Sequence, residues 1–147
     1  MSVIVIPTAS SGDSTGDDKT LLIDLWAASK AVNYAKQYGI KRFIMVSSIC
    51  ADNPNAVQSD SKPYLVAKHM ADEHLINSGL NYTIVRPSSL TNEDASLKVT
   101  TQQPSERNEA KISRENVANA LLQIANYSIN ENSLFELFDG DKPITSL

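Results

Sequence analysis

Tyr64 and Lys68 stand four residues apart, and together these residue types can transfer a proton. Cap-type residues precede them and Gly79 follows, which predicts a helix over residues 63–78. Side chains at i and i+4 share one helix face, with Cβ atoms about 5–6 Å apart. The ammonium is therefore expected to lower the Tyr64 pKa from its ordinary value of about 10, giving a proton donor near neutral pH. The alternative is an exposed helical turn without a chemical role, since spacing alone assigns none.

Strands and helices alternate along the sequence that must position this pair. The predicted strands are residues 3–6, 42–48, 82–86 and 135–138, and the predicted helices are residues 20–39, 63–78 and 113–127. Such alternation implies an α/β domain with a parallel sheet of about four strands, right-handed crossovers and flanking helices. The length of 147 residues suits a single domain, residues 1–147.

Several strand ends are predicted to meet at the carboxyl edge of this sheet. They carry Ser47 and Ser48, the loop over residues 7–12, and the turn Arg86-Pro87. The stretch 87–112 lacks strong periodicity and is longer than an ordinary connection, so it is a candidate lid or substrate loop. Surface disorder is the equally weighted alternative for that stretch.

Composition excludes several classes of partner. The formal net charge is −4 and the longest basic run is Lys41-Arg42, so no nucleic-acid footprint is expected. The first residues form neither a basic leader nor a long apolar span, which predicts no membrane contact and a soluble cytoplasmic protein. A single cysteine, Cys50, excludes an internal disulfide and fits a reducing compartment. No metal site is predicted.

Four stretches, VIVIPTASSGDSTG, KRFIMVSS, PYLVAK and YTIVRPSSLT, together resemble the short-chain dehydrogenase/reductase superfamily. The likeness is greatest to its atypical members, the NmrA-like and NAD-dependent epimerase-like NAD(P)-binding proteins. The resemblance implies a partial Rossmann-like fold and an NAD(P)-dependent oxidoreductase or sugar-nucleotide epimerase/dehydratase. It also implies NAD or NADP as cofactor and a small-molecule substrate. A non-catalytic NmrA-like NAD(P)-sensing or protein-binding module stays open, as does a chain that binds no dinucleotide.

The resemblance also assigns roles to individual residues. Ser48 would donate a hydrogen bond to the substrate oxygen, Tyr64 would be the proton donor, and Lys68 would also hold the nicotinamide ribose. Charge that develops on a carbonyl oxygen during hydride transfer is stabilised by such donors. The implied cofactor-binding residues are Thr8, Ala9, Ser10, Lys68, Arg86, Pro87 and Ser88.

Three positions depart from the pattern of the superfamily. Ser88 stands where the family has a glycine, so the backbone freedom of glycine is lost there. Asp24 stands where many relatives carry asparagine, and Ala27 stands where glycine is usual.

The phosphate-binding signature of a dinucleotide domain is not found in these residues. None of the five glycines forms a G-x-G-x-x-G turn, and the acidic stretch before Lys19 is unlike a phosphate-binding loop. The chain is therefore expected to be the C-terminal, catalytic part of the fold, weak or inactive alone, and to bind NADH or NADPH weakly if at all.

If the chain is only the C-terminal part of the fold, its first strand is expected to lack a neighbour, which predicts self-association. The run Val3–Ile6 would be an apolar sheet edge without guarding charges, which favours a homo-oligomer. The helix face that carries Ala67, Met70, Ala71 and Leu75 is the second predicted contact surface.

Overall fold

A six-stranded sheet with helices on both faces is the centre of the computed structural model, which describes residues 3–6, 16–127 and 132–147. In chain order the strands are β1 (Val3–Ile6), β2 (Arg42–Val46), β3 (Asn81–Pro87), β4 (Ser89–Thr91), β5 (Lys98–Thr100), β6 (Lys111–Ser113), β7 (Ser133–Asp139) and β8 (Lys142–Pro143). The helices are α1 (16–37), α2 (Lys62–Ile76) and α3 (Arg114–Tyr127), with short 3₁₀ turns at Pro54–Ala56, Arg107–Glu109 and Ile144–Ser146.

The strand order of the main sheet is β1-β2-β3-β7-β5-β8. The first four of these strands are parallel, which confirms the predicted α/β class and its core of about four parallel strands. Strands β5 and β8 extend the sheet in antiparallel fashion, and β4 pairs with β6 in a separate parallel ribbon. These four strands of two or three residues are too short to leave a periodic pattern, so they were not expected.

Alternate residues of the central strands feed two apolar cores. Ile44 and Val85 pack on the side of α3, whereas Phe43 and Ile84 pack on the side of α1 and α2. Every residue of β2 is buried, as expected for a central parallel strand that is covered on both faces. The sheet is therefore a rigid support for the residues that follow its carboxyl ends.

Helix α1 contains a widened middle segment. Its α-helical segment Gly16–Lys19 is followed by a π-helical segment, Thr20–Ala27, and then by a second α-helical segment, Ala28–Gln37. Buried positions recur every four residues at Thr20, Asp24 and Ala28. The carboxylate of Asp24 consequently lies inside the molecule, where α1 packs against α2. Segments of π-helix frequently occur at functional sites.

The stretch 87–112 is ordered, so the surface-disorder alternative is wrong. It contains β4, β5 and the start of β6, and Asn116 of α3 holds its middle. The Asn116 side chain accepts a hydrogen bond from the Leu97 N–H at 3.0 Å and donates to Ser96 Oγ at 2.9 Å and Asp139 Oδ1 at 2.7 Å. These contacts fix the stretch against the main body of the sheet.

The face of α2 that was predicted to form a contact between protomers lies mostly inside the monomer. Ala67, Ala71 and Leu75 are buried within the monomer because α2 packs on α1 and on the sheet, and only Met70 of the predicted four residues is exposed. In the described ranges, no helix has the length and apolar character needed to cross a membrane.

Candidate active site

Lys68 connects helix α2 to the end of strand β2. Its side chain is only 3% exposed, and Nζ donates a hydrogen bond to the Val46 carbonyl oxygen at 3.2 Å. Nζ also lies 3.4 Å from Asp24 Oδ1 and 5.8 Å from the centroid of the Tyr64 ring. Tyr64 and Lys68 share one helix face, as the sequence predicted. The contact with Val46 places this face beside the carboxyl end of β2, a position that the spacing alone did not predict.

The protonation of Tyr64 differs from the prediction. Burial of the half-buried phenol, with the negative charges of Asp24 and Asp72, raises the pKa of Tyr64 to about 12. The expected lowering of the Tyr64 pKa is wrong, because burial and the two nearby carboxylates disfavour the phenolate, and the Lys68 ammonium is itself paired with Asp24. Burial also lowers the pKa of Lys68, although Asp24 acts in the opposite direction.

A second buried ion pair lies on the same helix, one turn after Lys68. Asp72 is fully buried, and its Oδ2 accepts hydrogen bonds from Ser47 Oγ at 2.7 Å and from Arg86 Nη2 and Nε at 3.0 and 3.2 Å. Burial raises the pKa of Asp72, against the opposing effects of Ser47 and Arg86. One carboxylate oxygen thus joins α2 to the ends of β2 and β3.

The serines at this edge have different surroundings. Ser47 is buried, and its hydroxyl donates a hydrogen bond to Asp72. Ser48 is half-buried and lies between two backbone hydrogen bonds that join the ends of β2 and β3. In these bonds the Ser47 N–H donates to Val85 O at 2.7 Å and the Ile49 N–H donates to Pro87 O at 3.1 Å. The structure therefore brings Ser48 next to the turn that follows β3.

Three of the residues predicted to bind a cofactor are the last two residues of β3 and the residue that follows them. The Arg86 guanidinium forms an ion pair with Asp72, and its side chain is buried in the protein interior. Pro87 and Ser88 are buried, and Ser88 Oγ has no hydrogen-bond partner among the described residues. Thr8, Ala9 and Ser10 lie outside the described residues.

Sequence reasoning assigned no role to Asp72 or to Asp24. The sequence could have indicated Asp72, because it continues the i, i+4 spacing of Tyr64 and Lys68 and therefore lies on the same face of α2. The pairing of Asp24 with Lys68 joins two helices that are distant in sequence, and only the packing of α1 on α2 reveals it.

Comparisons with known proteins show the family of the chain. A family model described as NAD(P)H-binding matches residues 2–128. The chain belongs to this NAD(P)H-binding family. It is 48% identical over 140 residues to YhfK of Bacillus subtilis, named as an uncharacterized sugar epimerase, and the match covers 95% of this chain and 64% of that protein.

Solved structures give the same family. One from Bacillus halodurans, named as an NAD-dependent epimerase/dehydratase, is 42% identical with a TM-score of 0.91, covering 99% of this chain and 68% of that chain. The oxidoreductase YlbE of Lactococcus lactis is 26% identical with a TM-score of 0.85, covering 99% and 65%. This member of the NAD(P)H-binding family is thus an atypical short-chain dehydrogenase/reductase with a Rossmann-type sheet. It spans 64% of the length of the curated Bacillus subtilis relative.

Proposed function

We propose that this chain carries the catalytic residues of an NAD(P)H-dependent oxidoreductase that acts on a small molecule. The observation that carries the proposal is the position of Lys68, whose buried ammonium contacts the end of β2 and lies beside the Tyr64 ring. In the proposed reaction, Tyr64 gives its proton to the substrate oxygen and Ser48 donates a hydrogen bond to that oxygen. Lys68 orients Tyr64. These are the donors that a carbonyl oxygen needs as it gains negative charge.

A nicotinamide cofactor would supply the hydride, and the carboxyl end of β3 with the following Ser88 fits one. Ser88 Oγ is buried and lacks a hydrogen-bond partner in the described chain, so it is available to a polar group such as a carboxamide. We propose that Ser88 and the backbone of Arg86 and Pro87 contact the nicotinamide, with Lys68 near its ribose. Thr8, Ala9 and Ser10 are proposed contacts on the basis of the sequence alone. Because the 147-residue sequence contains no G-x-G-x-x-G turn, we expect this chain alone to bind NADH or NADPH weakly.

Turnover with a tyrosine variant tests the proposal. The 147-residue protein is assayed for NADPH consumption with a panel of small aldehydes and ketones, at high NADPH concentration because weak binding is expected. Replacing Tyr64→Phe removes the proton donor and should lower the rate about 10²-fold, with NADPH binding unchanged in calorimetry. The matched control is Tyr38→Phe, which deletes the hydroxyl of a tyrosine that is 74% exposed.

Equal rates for the wild-type protein and the Tyr64→Phe variant would exclude Tyr64 as the proton donor. NADPH binding without turnover of any acceptor would instead favour a non-catalytic NAD(P)-sensing module. Lys68→Ala should weaken both binding and turnover, because the side chain is proposed to serve both.

Epimerisation or dehydration of a sugar nucleotide is the second candidate function. It is favoured by the names of the Bacillus subtilis and Bacillus halodurans proteins, which are 48% and 42% identical to this chain. Assay of the protein with nucleoside-diphosphate sugars, analysed for epimerised product, tests it directly.

A further inference from the structure

Reduction and epimerisation make opposite demands on Tyr64. In reduction, the Tyr64 O–H bond breaks and the proton joins the acceptor oxygen, while the carbon attached to that oxygen receives a hydride from the reduced nicotinamide. Solvent then returns a proton to Tyr64. In epimerisation, a sugar hydroxyl must first lose its proton to a phenolate while its carbon gives up a hydride to oxidised nicotinamide. Whether the surroundings favour phenol or phenolate therefore separates the two reactions.

Charged groups of opposite sign act on Tyr64 from several elements. Asp24 comes from α1, Lys68 and Asp72 from α2, and Arg86 of β3 pairs with Asp72. The 3₁₀ turn Pro54–Ala56, which also packs on α2, contributes no titratable side chain. These four described groups comprise two acids and two bases, so their formal charges balance only while Tyr64 is neutral.

Among the residues that the structure describes, the two ion pairs leave no surplus positive charge for a phenolate. The Lys68 ammonium, 3% exposed, lies 3.4 Å from the Oδ1 atom of Asp24, whose side chain is fully buried. The Arg86 guanidinium is held by Asp72 at 3.0 Å. Charge interactions are strong in such a poorly solvated environment, so a phenolate would be a third, uncompensated negative charge.

We propose that Asp24 neutralises Lys68 and thereby keeps Tyr64 protonated, which makes this a reductase site rather than an epimerase site. The inference rests on the proposed function, because it concerns the same Tyr64 and Lys68. Asp24 is a positioning residue that acts through Lys68, and the substrate class is an acceptor carbonyl rather than a sugar hydroxyl. The pKa of Tyr64, raised to about 12, agrees with this assignment.

The ionisation of Tyr64 is measured without substrate or nicotinamide. The chain has five tyrosines, so the near-ultraviolet tyrosinate absorbance of Tyr64→Phe is subtracted from that of the wild-type protein. The difference should stay close to zero up to about pH 10.5, since a pKa of about 12 leaves the phenol protonated there. In Asp24→Asn, the ionised fraction of Tyr64 at about pH 10.5 should rise about tenfold, which corresponds to a shift of about one pH unit.

The control is Glu73→Gln, which removes an equal charge from an exposed position of α2, the helix that carries Tyr64, and should leave the Tyr64 titration unchanged. Circular dichroism at each pH verifies that the variants remain folded. If Asp24→Asn does not fold, the wild-type titration decides by itself, because a Tyr64 step below about pH 9 would overturn the proposal. An unchanged titration in folded Asp24→Asn would overturn it as well.

Rates provide a second readout. If Tyr64 donates from its protonated form, carbonyl reduction should be level between about pH 7 and pH 10 in the wild-type protein. A rate that falls with a midpoint near neutral pH would contradict the inference. Failure of all carbonyl acceptors, with the tyrosinate titration as expected, would instead refute the proposed function and leave the role of Asp24 intact.

Discussion

At the scale of single residues, removal of the Asp72 carboxylate should strongly destabilise the fold. It is fully buried and binds the Arg86 guanidinium, so removing one partner strands the other charge inside the protein. Asp72→Ala should lower the free energy of unfolding by about 3–5 kcal/mol, and adding Arg86→Met should recover much of this loss. Urea unfolding of the wild-type protein, of Asp72→Ala and of the double variant measures both effects.

An exposed ion pair provides the comparison for that experiment. Glu93 and Lys111 lie 3.2 Å apart with side chains 59% and 44% exposed, so Glu93→Ala should cost at most about 1 kcal/mol. If Asp72→Ala costs no more than Glu93→Ala, the buried pair does not have the structural role assigned to it.

The sequence indicated part of this residue-level arrangement. It predicted that Tyr64 and Lys68 share a helix face, because that spacing is local and follows from helix geometry. It did not predict that Asp24 compensates Lys68, since the sign of a pKa shift depends on burial and on charges from other elements. The predicted Tyr64 pKa therefore had the wrong direction.

At the scale of secondary-structure elements, Asn116 fastens the stretch between β4 and β6 to helix α3. Its buried amide makes three hydrogen bonds, one of them to the Asp139 carboxylate. Asn116→Ala should lower the free energy of unfolding by about 2–3 kcal/mol and speed amide exchange at Leu97. Asn119→Ala is the control, because the one bond of that side chain to the described residues is to the Glu115 carbonyl oxygen of its own helix. Equal exchange at Leu97 in both variants would show that Asn116 does not hold the stretch.

Long elements were predictable and short ones were not. Helices α1 to α3 and the four parallel strands of the main sheet have apolar patterns of several residues. Gly79 follows α2 as predicted, and α1 ends at Gln37, two residues before the predicted end at Gly39; both glycines have positive φ. Strands β4, β5, β6 and β8 have two or three residues each, so they depend on pairing partners elsewhere in the chain. Helix α1 also begins at Gly16 rather than at residue 20, where the apolar pattern starts.

At the scale of the whole molecule, the two ends of the sheet differ in their protection. The β8 end is two residues long and contains Pro143, and both features discourage further pairing. The β1 end has the sequence Val-Ile-Val-Ile and pairs on one side only among the described residues. Exposed apolar side chains also lie on the outer surfaces of α1 and α2, where Trp26 is 57% and Met70 is 51% exposed. Both surfaces favour association.

We propose that the protein forms a homo-oligomer through one of these two surfaces. Light scattering should then give a mass that is a multiple of 16.0 kDa.

The variants that test the helical surface are Trp26→Glu and Met70→Glu. A charged residue in place of Val5 would not test the β1 edge cleanly, because Val5 packs against the core and the substitution would also destabilise the monomer. If the helical surface forms the contact, these variants should be monomers, because burying a carboxylate in an apolar interface is unfavourable. Leu122→Glu, on α3 and 60% exposed, is the control and should leave the oligomer intact. An oligomer that survives all three substitutions would assign the contact to β1, and a wild-type monomer near 16.0 kDa at high concentration would refute association altogether.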